Sequence, residues 1–167
     1  MHLSIRPYRD DDLDVCRHLW RELTQRHRDI YGDSKIGGDD PGRLFDEYLA
    51  NPSLAGPWIV EWESAVVALG GLLVDGPQAE IEPVVVLTRC RRRGIGTRLI
   101  EHLIEEASRR GARSVSVRPV ARNAEAMACF RRAGFSLLGH VEMFQSLSGN
   151  ERKWKQGITI HGEEYGY

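Results

Sequence analysis

The stretch from Ala79 to Arg118 constrains the fold more than any other part of this 167-residue chain. Ala79 to Leu87 reads as a strand whose second half, Val84-Val85-Val86-Leu87, is apolar at every position. Such a run predicts a central strand covered on both faces. Thr88 to Arg93 is a polar, basic connection. From Gly94 to Arg110, Ile95, Leu99, Leu103, Ile104 and Ala107 fall on one helical face, with Arg98, Glu101, Glu105 and Glu106 opposite. Gly111 supplies the C-terminal stop, and Ser114 to Arg118 reads as a further strand ended by Pro119. A strand, a helix and a strand in this order predict a right-handed crossover.

The flanking sequence surrounds that unit with mixed elements. Leu3 to Arg6 predicts a short strand ended by Pro7. Asp10-Asp11-Asp12 offers caps and first-turn acids for a helix that runs to about Asp29, with Leu13, Cys16, Trp20 and Leu23 as its apolar face. Tyr31 to Gly42 is a Gly/Asp/Pro-rich loop, and Pro41 to Ala50 predicts a short helix. Trp58 to Trp62 and Ala65 to Val74 predict strands joined by a tight turn at Glu63-Ser64. Gly70-Gly71 inside the second suggests a bulge or a close backbone approach. Asn123 to Arg132 predicts a short helix capped by Gly134. Phe135 to Leu147 reads as strand-rich, with a turn at Gly139-His140. Ser148-Gly149-Asn150 breaks the chain, and Ile158-Thr159-Ile160 predicts a last strand. The order is that of a mixed α/β layer fold, not a repeated doubly wound one.

A net charge of -1 leaves no global field for nucleic acid or an anionic membrane. Three cysteines with no C-x-x-C pair argue against a disulfide framework or a zinc ribbon and fit a reducing compartment. The histidines are scattered with no H-x-x-x-H pair, so no metal site is expected. The first residues lack an apolar signal region, and no apolar run is long enough to span a bilayer. A cytoplasmic protein is the expectation. One domain over 1–167 is expected, with a core at about 3–147 and an extension at 148–167.

The basic charge is local. Arg91, Arg92 and Arg93 lead into Gly94-Ile95-Gly96-Thr97 at the start of a helix. A helix N-terminus presents unpaired N–H groups and partial positive charge, and the two glycines let an anion approach the backbone. A diphosphate is the natural ligand. The spacing is not that of a nucleotide-triphosphate P-loop, and Leu99 stands where a third glycine would complete a dinucleotide fingerprint.

The pattern Arg91-x-x-Gly94-x-Gly96 after an apolar strand resembles the central motif of the GNAT superfamily of acyl-CoA-dependent N-acyltransferases. Asn123, Ala126, Phe130 and Gly134-Phe135 resemble its second motif, N-x-x-A-x-x-x-[YF]-x-x-x-G-F. The resemblance implies a GNAT-type fold: a mixed, mostly antiparallel sheet of six or seven strands with helices on both faces. It implies that backbone N–H groups from Arg92 to Thr97 bind the diphosphate of acetyl-CoA. Backbone groups near Val84, Val85 and Val86 would bond the pantetheine arm and the acetyl carbonyl. Asn123 would organise the pantetheine cleft, with Ala126 and Phe130 beside the thioester.

Moving an acetyl group from acetyl-CoA to a primary amine in a ternary complex needs a neutral nucleophile and a general base. Glu82 and Glu80 lie two residues apart on one strand face, and the resemblance favours Glu82 as the base, with Glu80 next. Phe130 departs from the tyrosine that many members use to protonate the leaving thiolate. Tyr165 is a candidate replacement, and His27 and Tyr31 are candidates for the acceptor pocket. Cys129 reads as a small apolar residue pointing away from Phe130. Acids near the pocket suggest a cationic amine acceptor. Trp154, Ile158 and Ile160 supply a candidate homodimer contact. The rival readings are a non-catalytic acetyl-CoA-binding module and a nucleic-acid binder built on the arginine cluster.

Overall fold

The structure is a computed structural model, and it describes residues 2–145, Leu147 and 155–167. The break expected at Ser148-Gly149-Asn150 and the side chain of Trp154 lie outside the described residues.

Strand β1 (Leu3–Pro7) leads through a single 3-10 turn, Asp10–Asp12, into α1 (Leu13–Tyr31). Gly32 ends α1 in the left-handed conformation, with its N–H bonded to the Arg28 carbonyl. Helix α2 (Leu44–Leu49) is short and follows a 3-10 turn begun by Pro41. Strands β2 (Leu54–Trp62), β3 (Ala65–Asp75) and β4 (Gln78–Val86) form an antiparallel meander. Glu63 and Ser64 both take positive φ, 52° and 66°, which gives the tight β2–β3 turn the twist that a two-residue hairpin requires. Helix α3 (Ile95–Arg109) then crosses to β5 (Ser114–Ser116), and α4 (Ala124–Arg132) follows.

The central sheet has the order β1-β2-β3-β4-β5, with only the β4–β5 pair parallel. This is the expected mixed, mostly antiparallel sheet, with five strands among the described residues against the six or seven expected. Strands β6 (Gln156–Ile160) and β7 (Glu163–Gly166) pair with each other as a separate hairpin and do not extend it. Ile158-Thr159-Ile160 does fall in a strand, as expected.

The strands expected over Phe135 to Leu147 are absent among the described residues there. Leu137, Leu138, Met143 and Phe144 are strongly exposed. Apolar alternation makes a strand only where an edge is available to pair with it, and β5 offers three residues.

Helices pack on both sheet faces. A Cβ placed on Gly70 would sit 2.9 Å from Leu99 and Leu103 of α3, while one on neighbouring Gly71 would overlap the Tyr48 hydroxyl of α2. The buried core includes Leu72, Leu99, Ile100 and Leu103 on the α3 side of the sheet, and Leu69 and Val85 on the other side with Leu19 of α1 and Phe45 of α2. Arg6 joins β1 to this layer. Its guanidinium grips Asp12 with bonds of 2.7 and 2.8 Å and reaches Glu61 at 2.8 Å.

Candidate functional site

The turn after β4 is built to leave backbone donors free. Arg92 and Gly94 both take left-handed conformations, φ 59° and 79°. Gly94 caps α3 without any side-chain acceptor, and the helical ladder begins only at the Arg98 N–H, which donates to the Gly94 carbonyl at 3.1 Å. The N–H groups of Ile95, Gly96 and Thr97 therefore have no partner within α3 and lie where the helix carries its partial positive charge. A Cβ on Gly96 would stand 3.6 Å from Val86 and 3.8 Å from the Cys129 sulfur, so strand, helix start and α4 converge there.

Strand β4 opens beside this turn. Its pairing with β5 covers Gln78↔Ser114, Ala79↔Val115 and Glu80↔Ser116 and stops there. Farther along the strand, Val84 to Val86 line a cleft whose other wall is α4. The register with β3 also shifts between Gly70 and Leu72. Ile81 lies opposite Leu72 and Val84 opposite Gly70, so one extra residue of β4 is taken up across Glu82-Pro83. The shift changes the face that α3 covers, from odd positions before it to even positions after it. Val84 and Val86 thus point toward α3 and the cleft, while Glu80 and Glu82 point toward α1 and α2 with Tyr48.

The resulting cleft has a volume of about 180 Å³ and opens to solvent. The structure brings together along it Val84, Val85, Val86, Arg91, Arg92, Gly94, Ile95, Gly96, Thr97, Asn123, Ala126 and Phe130. The Asn123 side chain accepts from the Ala126 N–H at 3.1 Å and so caps α4. Phe130 meets Phe135 edge-on, ring centroids 5.8 Å apart.

One residue of the arginine run departs from that set. Arg93 is turned away from the cleft, and its guanidinium stacks over Trp62 at 4.7 Å. The left-handed Arg92 and Gly94 on either side reverse the chain direction, so three successive arginines cannot point the same way.

Other cleft residues carry no motif in the sequence. Arg26 of α1 and Arg132 of α4 line it. Glu125 stands 3.6 Å from Arg26 and 3.9 Å from Arg91. Helical periodicity around Trp20 and Leu23 could have suggested Arg26; nothing marked Arg132. Cys129 also lines the cleft, which corrects the expectation that it points elsewhere. The cleft wraps far enough round α4 to reach both Cys129 and Phe130.

The two carboxylates differ. Glu80 is mostly buried and ion-pairs with the exposed Arg118 at 2.9 Å, leaving its buried Oε1 without a partner among the described residues. Burial raises its carboxyl above the usual range, Arg118 opposes that rise and Glu82 adds to it. Glu82 is exposed, and its backbone carbonyl accepts from the Tyr48 hydroxyl at 2.6 Å. Neither carboxylate lines the cleft itself.

The acceptor-pocket candidates His27 and Tyr31 lie one turn apart on α1, and the candidate acid Tyr165 lies on β7. His27 is half-buried, and burial lowers its imidazole below the usual value. Tyr31 lies under the Arg122 guanidinium at 5.1 Å. Arg122 Nε donates to the Tyr167 carbonyl oxygen at 2.8 Å, which ties the β6–β7 hairpin to the loop before α4. Tyr165 sits exposed on β7 and does not line the cleft. Among the described residues no group of His, Cys, Asp and Glu side chains could hold a metal, and no helix is long and apolar enough to cross a membrane.

Comparison with solved structures returns the same architecture. A putative acetyltransferase from Agrobacterium tumefaciens str. C58 superposes with a TM-score of 0.67 at 24% identity, over 86% of this chain and 99% of that one. The ribosomal-protein-S18-alanine N-acetyltransferase from Escherichia coli gives 0.65 at 20% identity, over 83% and 80%. AAC(6')-Iy, in complex with the bisubstrate analog CoA-S-monomethyl-acetylneamine, gives 0.65 at 18% identity, over 87% and 99%. At these identities the likeness is one of fold. Comparison with curated protein sequences gives no significant match. The profile of the Acetyltransferase (GNAT) family matches residues 14–135, from the first turn of α1 through the cleft to Phe135. That span holds both motifs and most of the chain, which belongs to the GNAT acetyltransferase family.

Proposed function

We propose that the protein is an N-acetyltransferase that moves the acetyl group of acetyl-CoA to a primary amine of a small molecule or peptide, within a ternary complex. The observation that carries this reading is the run of N–H groups from Arg92 to Thr97, which have no backbone partner among the described residues and border the cleft between β4 and α4. The N–H groups of Arg92 to Thr97 would grip the diphosphate, with Arg91 and Arg92 adding charge. Asn123 and Ala126 would line the pantetheine path. A backbone N–H from Val84 to Val86 would donate to the thioester oxygen as charge develops there.

Glu82 takes a proton from the incoming ammonium, directly or through one water, and Glu80 is the second candidate. The amine nitrogen bonds to the thioester carbon and gives up a second proton to solvent as the carbon–sulfur bond breaks, and the CoA sulfur leaves as a thiolate that solvent protonates. Phe130 has no proton to give, and a thiolate leaves without one. The carboxylates on the α1–α2 side favour a cationic acceptor there. We read 1–167 as a single domain, and its free cysteines fit a cytoplasmic setting.

The missing phenol at Phe130 is the one observation that favours the second reading, a module that binds acetyl-CoA without turnover. A panel of polyamines, aminoglycosides and peptide amines, followed by release of free CoA thiol, separates the two. Release that depends on both amine and Glu82 supports the transferase. Binding of acetyl-CoA with no release from any amine contradicts it, and amine-dependent release unchanged in Glu82→Gln moves the base from Glu82 to Glu80.

A further inference from the structure

The strand that faces the thioester in the proposed reaction is held in shape by a residue of another layer. Tyr48, on α2, donates its hydroxyl to the Glu82 carbonyl at 2.6 Å. Glu82 lies within the interval where the β3–β4 register shifts. Across from it, Gly71 has no side chain, and a Cβ there would overlap the Tyr48 hydroxyl and stand 2.5 Å from the same carbonyl oxygen. The hydroxyl therefore occupies the space that a side chain on β3 would fill. Burial raises the Tyr48 phenol above its usual value, and Glu82 adds to that, so the hydroxyl keeps its proton as a donor. The ring is fixed in turn by Trp20 of α1 at 5.1 Å and Phe45 of α2 at 6.2 Å.

We infer that Tyr48 is a positioning residue for acetyl transfer: through the Glu82 carbonyl it holds the β4 bulge that aims the backbone of Val84 to Val86 into the cleft. The inference rests on the proposed acetyl-CoA function. Val84 follows Glu82 by two residues, so any relaxation of the bulge reorients the first N–H groups beyond it. Without the hydroxyl, the Glu82 carbonyl loses a partner at the point where the ladder is already interrupted, and the strand is free to seek another register. The diphosphate turn lies beyond Val86 and is built by its own glycines, so it does not depend on Tyr48. The same contact links the strand to the layer that carries His27 and Tyr31.

The test uses acetyl-CoA labelled with carbon-13 at the thioester carbonyl and the full-length protein. Binding to the unaltered protein should move the carbonyl resonance downfield, as donation from backbone N–H polarises it. Tyr48→Phe should cut that displacement by about half or more while changing acetyl-CoA affinity less than about threefold. With an accepted amine, kcat should fall about tenfold or more with KM for acetyl-CoA nearly unchanged. Gly71→Ala, which crowds the same carbonyl from β3, should reproduce the loss and serves if Tyr48→Phe does not fold. An undiminished displacement in the variant that folds would overturn the inference, as would a lowered melting temperature with an unchanged kcat. Failure of the unaltered protein to bind acetyl-CoA would instead remove the function on which the inference stands.

Discussion

Arg91 Nε donates to the carbonyl oxygen of Val86, 3.1 Å away, so the first arginine of the turn folds back on the strand it has just left. The side chain lines the cleft, whereas Arg93 stacks on Trp62 outside it. Arg91→Ala should weaken acetyl-CoA binding about tenfold, with a shallower salt dependence. Arg93→Ala should change affinity by less than about twofold, because its side-chain contact is a cation–π stack distant from the ligand path. Calorimetric titration at two salt concentrations checks both.

Cys129 is the one half-buried thiol beside the cleft, while Cys16 and Cys90 are buried. Burial pushes the Cys16 thiol up to about 12. In the native protein iodoacetamide should modify Cys129 first, and saturating acetyl-CoA should slow that modification about tenfold or more. Peptide mass mapping with and without acetyl-CoA reads this out.

The carboxylates on β4 should separate by pH. Glu82→Gln should lower kcat about 100-fold, and Glu80→Gln should lower it less. Glu80 holds its proton more tightly in the folded protein than in the unfolded chain. Its contribution to stability therefore falls as pH rises from the ordinary carboxylate value through the raised one. Glu80→Gln should flatten that decline, and urea unfolding across this window measures it.

Asp12 behaves in the opposite sense. The Arg6 guanidinium and the Arg9 N–H hold its carboxyl below the usual range. The stability it confers is complete above the ordinary carboxylate value and disappears as pH falls through the depressed one. Asp12→Asn should cost about 2 kcal/mol at neutral pH, because Arg6 keeps Glu61 as a partner but loses its two-pronged grip. In acid, the gap between variant and parent should close.

The parts of the site that were legible in the sequence are those set by local periodicity and backbone chemistry. The apolar run to Leu87, the two glycines at 94 and 96, and the Asn123-to-Phe135 pattern each specify their own geometry within a turn or two. Parts that depend on a distant element were hidden. Gly70-Gly71 signals a close approach but not that Tyr48 makes it. Glu82-Pro83 gives no sign that the strand changes face there. The run from Arg91 to Arg93 looks uniform until the backbone reverses at Arg92. The alternation after Phe135 reads as strand because sequence pattern reports a side chain's preference for a sheet, not the length of the edge that must receive it.

The central claim is that linked phosphates sit on the N–H groups at the start of α3. Co-crystallisation with acetyl-CoA tests it most directly. Diphosphate oxygens should lie within hydrogen-bond distance of backbone nitrogens between Arg92 and Thr97, with the pantetheine arm running between β4 and α4. Acetyl-CoA bound at any other surface, with that turn left to solvent, would contradict it.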